Sequence, residues 1–176
     1  MLAVEQLKKE HEAILLLLDI LGVVCKVIEA GEKVSQKDLE DILEFISVFA
    51  DKCHHAKEED LLFPAMEESG IPRDGGPIEA MLQEHDLGRS FVKGMREAKT
   101  QQEFAVAARN YISLLTQHIE KENDILYAIA NVHIPEEKQE ELVNLFEKLE
   151  EEKIGIGKHE EFHKLLKKLE KIYLAD

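Results

Sequence analysis

The chain has no tryptophan, two cysteines, four prolines and far fewer basic than acidic residues, and each shortage removes a class of protein. Cys25 and Cys53 are too far apart for a CxxC pair, so neither a zinc knuckle nor a redox dithiol is encoded. A reducing cytosol is the simple reading. Lys and Arg number 22 against 37 Asp and Glu, giving a net charge of −15. No basic cluster stands ready to neutralise phosphates, so nucleic acid is not expected as a partner. The apolar run from Ile14 to Val24 is interrupted by Asp19. It falls well short of the roughly 20 residues that a membrane span requires. The start of the chain, with Glu5, Glu10 and Glu12, does not look like a signal peptide, and a cytoplasmic protein is expected. What remains is 176 residues, 44% of them hydrophobic, enough for one domain with a real core.

Sustained period-2 alternation is also missing, which argues against a sheet. The few prolines and glycines punctuate long helical stretches. A first helix is expected from about Ala3 to Ala30, stopped by Gly31. Ser35 and Asp38 resemble a capping box opening a second helix, which runs to about Ser69. The break GIPRDGGP ends at Pro77, well placed as the first residue of a third helix to about Lys99. Thr100 and Glu103 form a second capping box, opening a fourth helix to about Val132. Pro135 starts a fifth to about Lys153, and Gly155 and Gly157 set off a last one, Lys158 to Tyr173. Short turns between four long helices imply an all-α, antiparallel up-down four-helix bundle over residues 1–132. Residues 133–176 are expected as a helical extension packed on it, within a single domain.

Two stretches of this chain repeat each other 64 positions apart: HHAKEEDLLFP from His54 and HIEKENDILYA from His118. They share His54/His118, Lys57/Lys121, Glu58/Glu122, Asp60/Asp124 and Leu62/Leu126, with Phe63 matched to Tyr127. Positions i and i+4 of a helix lie on one face, so each histidine and its glutamate can reach one point. Taken alone, each pair is an ordinary surface ion pair of a charged helix. The apolar stripes say otherwise. On the first helix Val4, Leu7, His11, Ile14, Leu18, Leu21, Cys25 and Ile28 keep a 3/4 spacing that His11 interrupts. On the second, Leu43, Ile46, Ala50, His54, Glu58, Leu61 and Ala65 carry two polar residues. On the third, His85 interrupts Ile78, Leu82, Val92 and Met95. On the fourth, His118 and Glu122 interrupt Tyr111, Leu114, Ile125 and Ile129. Unpaired core carboxylates cost several kcal/mol, and bound metal removes that cost. Imidazole and carboxylate without thiolate suit iron, manganese or zinc. Two metals about 3.5–4 Å apart are a common arrangement for such a set.

The motifs KEHE at His11, HHAKEEDLLFP at His54, QEHDLGR at His85 and HIEKENDILY at His118 follow in order over roughly residues 1–132. In this the chain resembles the hemerythrin-like (HHE cation-binding) family. The resemblance implies a non-haem di-iron site in a four-helix bundle, with His11, His54, His85 and His118 as terminal ligands and Glu58 and Glu122 as bridges. Two features depart from the oxygen-carrying members. Arg89 stands four after His85, where the carriers have a further histidine, and the fourth helix has glutamate at i+4 where they have aspartate at i+5. The pattern is closer to bacterial and archaeal relatives linked to oxygen, nitric oxide or iron handling.

Other residues are weaker candidates. His159 and His163, with Glu160 beside them, have chelating spacing on the last helix and would complete the site if that helix folded over the bundle; otherwise they are a solvated face. His55 with Glu59 offers a competing i,i+4 register, ranked behind His54 because Phe63 aligns with Tyr127. Arg89 is either a partner of a bridging glutamate or a plain ion pair. Cys53 reads as a small core residue and His133 as a loop residue at a helix end, while Tyr111 is either near the site or simply packed. Leu62, Ile14, Leu114 and Ile125 are expected to wall the site from water. The ferritin-like alternative needs Glu-x-x-His on two helices, and only Glu160/His163 has that order.

The expected function is binding or sensing of O2 or NO at a di-iron centre. Iron storage or donation to an iron-acceptor protein, including repair of iron–sulfur centres, is the alternative, favoured by a missing fifth histidine. Nothing marks a substrate pocket or a dedicated acid–base residue, so an oxidase or peroxidase ranks behind both. No feature fixes the oligomeric state.

Overall fold

A computed structural model describes residues 1–175 as six helices, with no strand among them. They are α1 (Ala3–Glu29), α2 (36–68), α3 (Pro77–Glu97), α4 (101–133), α5 (Glu136–Lys153) and α6 (Lys158–Tyr173). Thr100 caps α4 through its hydroxyl, which accepts from the Glu103 N–H at 3.1 Å. Ser35 makes no such bond at the start of α2. Its expected partner Asp38 instead accepts a hydrogen bond from the Tyr173 hydroxyl of α6 at 2.5 Å. Gly31, with φ of 84°, takes the left-handed turn that ends α1.

Two apolar clusters fix the direction of each helix. One gathers Ile14 to Ile28 of α1, Leu39 to Ala50 of α2, Met95 of α3 and Phe104 to Ile119 of α4. The other gathers Ala3 to Leu7, Leu62 to Met66, Ile78 and Met81, and Leu126 to Ala130. The chain therefore crosses from one cluster to the other four times, up, down, up and down. Between the clusters lies a polar layer formed by His11, His54, His55, Glu58, His85, His118 and Glu122, all buried. Of the extension, α5 contributes Leu142 and Phe146 to one cluster, and α6 contributes Phe162, Leu166 and Leu169 to the other. No helix among the described residues is long and apolar enough to cross a membrane.

The repeat extends to the backbone. The Phe63 N–H bonds the Glu58 carbonyl and the Tyr127 N–H bonds the Glu122 carbonyl, each reaching back five residues rather than four. Such wide turns are frequent at functional sites. Each advances the inward face by one position. Leu126 is buried while Ile125 is 54% exposed, so the expectation that Ile125 walls the site is corrected. Leu61 gives way to Leu62 in the same manner, and Leu114 is half-buried beside the buried Leu115. On α1, which stays regular, all eight stripe residues are buried as the spacing predicts.

Candidate metal centre

A longer wide stretch, Phe45–His55, precedes the first of these turns. Neighbours are separated by fewer degrees in a wider helix, and both His54 and His55 face inward. Seven side chains then converge. His55, Glu58, His85 and His118 form one group, and His11, His54, Glu58 and Glu122 a second; within each, the ligand-type atoms lie within 4.8 Å of one another. Glu58 belongs to both. Its Oε1 is 3.5 Å from His54 Nε2 and its Oε2 is 3.2 Å from His85 Nε2. Glu122 Oε1 likewise stands 2.6 Å from His118 Nε2 and 3.5 Å from His11 Nε2. Ligands about 2.1 Å from a common ion are themselves roughly 3 Å apart, so these separations suit cation sites.

Each histidine is turned by an oxygen behind it. The Nδ1–H of His54 donates to Glu10 at 3.1 Å, that of His118 to Glu84 at 3.3 Å, and that of His85 to Glu59 at 2.8 Å. His11 donates to Asn123 at 2.7 Å and His55 to Asp51 at 3.2 Å. This tautomer leaves every Nε2 as the lone-pair atom. The pattern has the twofold character of the repeat: Glu10–His11 and Glu84–His85 occupy corresponding places, as do Glu59 and Asn123.

The polar atoms at the middle are orphaned. Nε2 of His54, His85 and His118, Oε2 of Glu58 and both carboxylate oxygens of Glu122 are buried with no hydrogen-bond partner. Buried groups left this way are costly. Protons compensate in part. Burial opposes charge on His54, yet Glu58 and Glu10 outweigh it and raise the pKa to about 10. Burial likewise opposes charge on His118, where Glu122 and Glu84 raise it to about 10. Burial and the stacked His85, 4.0 Å away, hold His55 well below its ordinary value. Burial would raise Glu58, but His54 and His85 hold it far below the usual carboxylate range. A cation in each of the two groups would satisfy these atoms together, displacing the protons. Five imidazoles and two carboxylates, without thiolate, fit iron, manganese or zinc.

His11, His54, Glu58, His85, His118 and Glu122, read from the stripes, thus meet in one layer. His55 joins them, although the sequence ranked it behind His54; the wide helix turns both inward. Glu59 sits behind His85 rather than beside His55. Arg89 pairs with Asp51 at 2.9 Å, Glu59 at 2.5 Å and Asp86 at 3.0 Å, none of them a bridging glutamate. His159 and His163 do not reach the layer: His159 donates to Glu150 at 2.8 Å, and its ring lies 4.7 Å from that of His163. Glu160 is exposed and pairs with Lys164 at 3.7 Å. Tyr111 lines a cavity of about 420 Å³ that ends on His55 and His85. Cys53 is buried and burial pushes its thiol pKa up; His133 is exposed at its helix end. Sequence reasoning passed over Glu10, Lys57, Glu84, Asn123 and Tyr127. The glutamate before both His11 and His85, and the lysine kept in both repeats, were the available signals.

The family model for the hemerythrin HHE cation binding domain matches residues 2–130. Neither the curated proteins nor the solved structures give a match.

Proposed function

This chain belongs to the hemerythrin HHE cation-binding domain family, and we propose that it is a non-haem di-iron protein that binds a small diatomic ligand, O2 or NO. One observation carries the reading: two ligand-type groups share Glu58, whose two oxygens face different histidines. That is the disposition of a carboxylate bridging two ions about 3.5–4 Å apart. The five histidines together with Glu58 and Glu122 would hold the ions, with Glu58 common to both groups. Iron held there would supply reversible binding of the diatomic ligand.

The protein's own residues control approach and water. The cavity between α2 and α3, walled by Ile46, Gly88 and Val92, is the way in, and it leads to His55 and His85. Arg89 at its edge is paired with Asp51 and Glu59, and Lys52 and Arg96 also line the passage. Ile14 and Leu62, both buried, border the polar layer on its two apolar sides and restrict water. Iron donation drew support from a missing fifth histidine, and His55 removes that support.

The test is spectroscopic. Iron-loaded protein is reduced without air, then exposed to O2 or NO while the visible spectrum is recorded. A new band that reverses when the gas is removed supports ligand binding. Irreversible bleaching, or ready loss of iron to a chelator or an apo iron–sulfur protein, contradicts it in favour of donation.

A further inference from the structure

Two corresponding arms support the centre from outside, and they are not alike. In each, a glutamate accepts from the Nδ1–H of a candidate ligand while a lysine donates to that glutamate's other oxygen. One arm is His54, Glu10 and Lys57; the other is His118, Glu84 and Lys121. The Lys121 side chain is 45% exposed and its arm ends in water, whereas that of Lys57 is 0% exposed. The Lys57 arm continues. Its Nζ lies 2.8 Å from Glu10 Oε2 and 3.2 Å from Glu150 Oε1 of α5. The same Glu150 oxygen accepts from the Cys53 thiol at 3.3 Å and from His159 Nδ1–H of α6 at 2.8 Å. The ring of Phe146 of α5 lies 5.9 Å from the ammonium. The C-terminal helices therefore close over one arm and leave the other open.

We propose that Glu150 is a positioning residue for the His11/His54 metal position, and that through it the C-terminal helices make the two positions of the centre unequal, the His54 side binding more tightly. This rests on the dinuclear reading above. A carboxylate behind a metal-binding histidine orients the ring and raises its basicity. In a water-free setting that effect is stronger than in a solvated one. Lys57 draws on Glu10, and Glu150 shares the ammonium, so Glu10 keeps more of its charge for His54. Without the Glu150 charge, Lys57 is left to Glu10 alone and the pull on His54 weakens. Glu84 has no such relay, because water solvates Lys121.

Metal-free full-length protein is titrated anaerobically with Co2+ against a chromophoric chelator, and two binding constants are extracted. The wild type is expected to give constants differing by about tenfold or more, since partners of this kind alter metal affinity roughly 10–100-fold. Glu150→Gln is expected to weaken the tighter constant by about fivefold or more while leaving the weaker one in place. Glu150→Asp, which keeps the charge, gives a smaller loss. Equal constants in the wild type, or a Glu150→Gln change that shifts both together or neither, overturns the proposal while leaving the dinuclear site standing. Fewer than two ions per chain overturns the dinuclear reading, and this proposal with it.

Discussion

The hydroxyl of Tyr127 donates a hydrogen bond to Glu58 Oε1 and stands 3.3 Å from His11 Nε2. Its counterpart in the repeat is Phe63, which has no hydroxyl and lies with its ring 6.1 Å from that of His85. At this pair of corresponding positions the two halves of the centre thus differ by one oxygen atom. Because a phenylalanine already fits the matching place, Tyr127→Phe should fold normally. Loss of a hydrogen bond to a buried carboxylate costs about 1.5–3 kcal/mol. Urea unfolding of the metal-free protein should show a lower midpoint with an unchanged slope. An unchanged midpoint would mean that the hydroxyl does not stabilise Glu58.

The wide turn after Glu122 makes a sharp distinction between neighbours. Leu126 is buried and Ile125 is exposed. Leu126→Ala should destabilise by about 2–5 kcal/mol, as large-to-small changes in a core do. Ile125→Ala should stay within about 0.5 kcal/mol. Thermal or urea melts of the two variants decide it, and the opposite ranking would restore the regular helical phase read from the sequence.

His55 separates the structure from the sequence most directly. The repeat alone makes its replacement harmless, whereas its place in one group with Glu58, His85 and His118 makes it a candidate ligand of one of the two proposed ions. His55→Asn should lower bound metal from about two ions per chain toward one, since the second group keeps its own set. Elemental analysis after iron-replete expression checks this, and two retained ions would return His55 to a supporting role.

Glu150 should give the chain a defined acid dependence. Burial favours its neutral form, yet the hydrogen bond from His159 and the charge of Lys57 prevail and lower the pKa from 4.5 to about 2. The folded value lies below the unfolded one, so the carboxylate stabilises the fold fully above pH 4.5 and loses that contribution as pH falls toward 2. The stability difference between wild type and Glu150→Gln should be constant above this window and shrink within it. Unfolding curves across the range test the sign; a difference that widens on acidification contradicts the ion-pair account.

The bundle was legible because α1 is regular and four helices each put a histidine on an otherwise apolar face. The same reasoning brought six of the seven converging side chains together. It failed where the backbone leaves the α-helical phase. Nothing in FISVFADKCHH, EEDLL or ENDIL marks turns that bond five residues back, so the sequence puts Ile125 inside and ranks His55 behind His54. Lys57 was invisible for another reason. A lysine on a charged helix reads as exposed, and its burial depends on Glu150 and Phe146, which lie far along the chain. Long-range closure of that kind leaves no periodic trace in the local sequence.

Iron content of the purified wild-type chain, set beside that of Glu58→Gln/Glu122→Gln, tests the central claim most directly. The account predicts about two ions per chain in the wild type and close to none in the double variant, because both ions lean on the shared carboxylates. One ion or fewer in the iron-replete wild type, or two ions surviving the double replacement, would contradict a dinuclear centre built on Glu58 and Glu122.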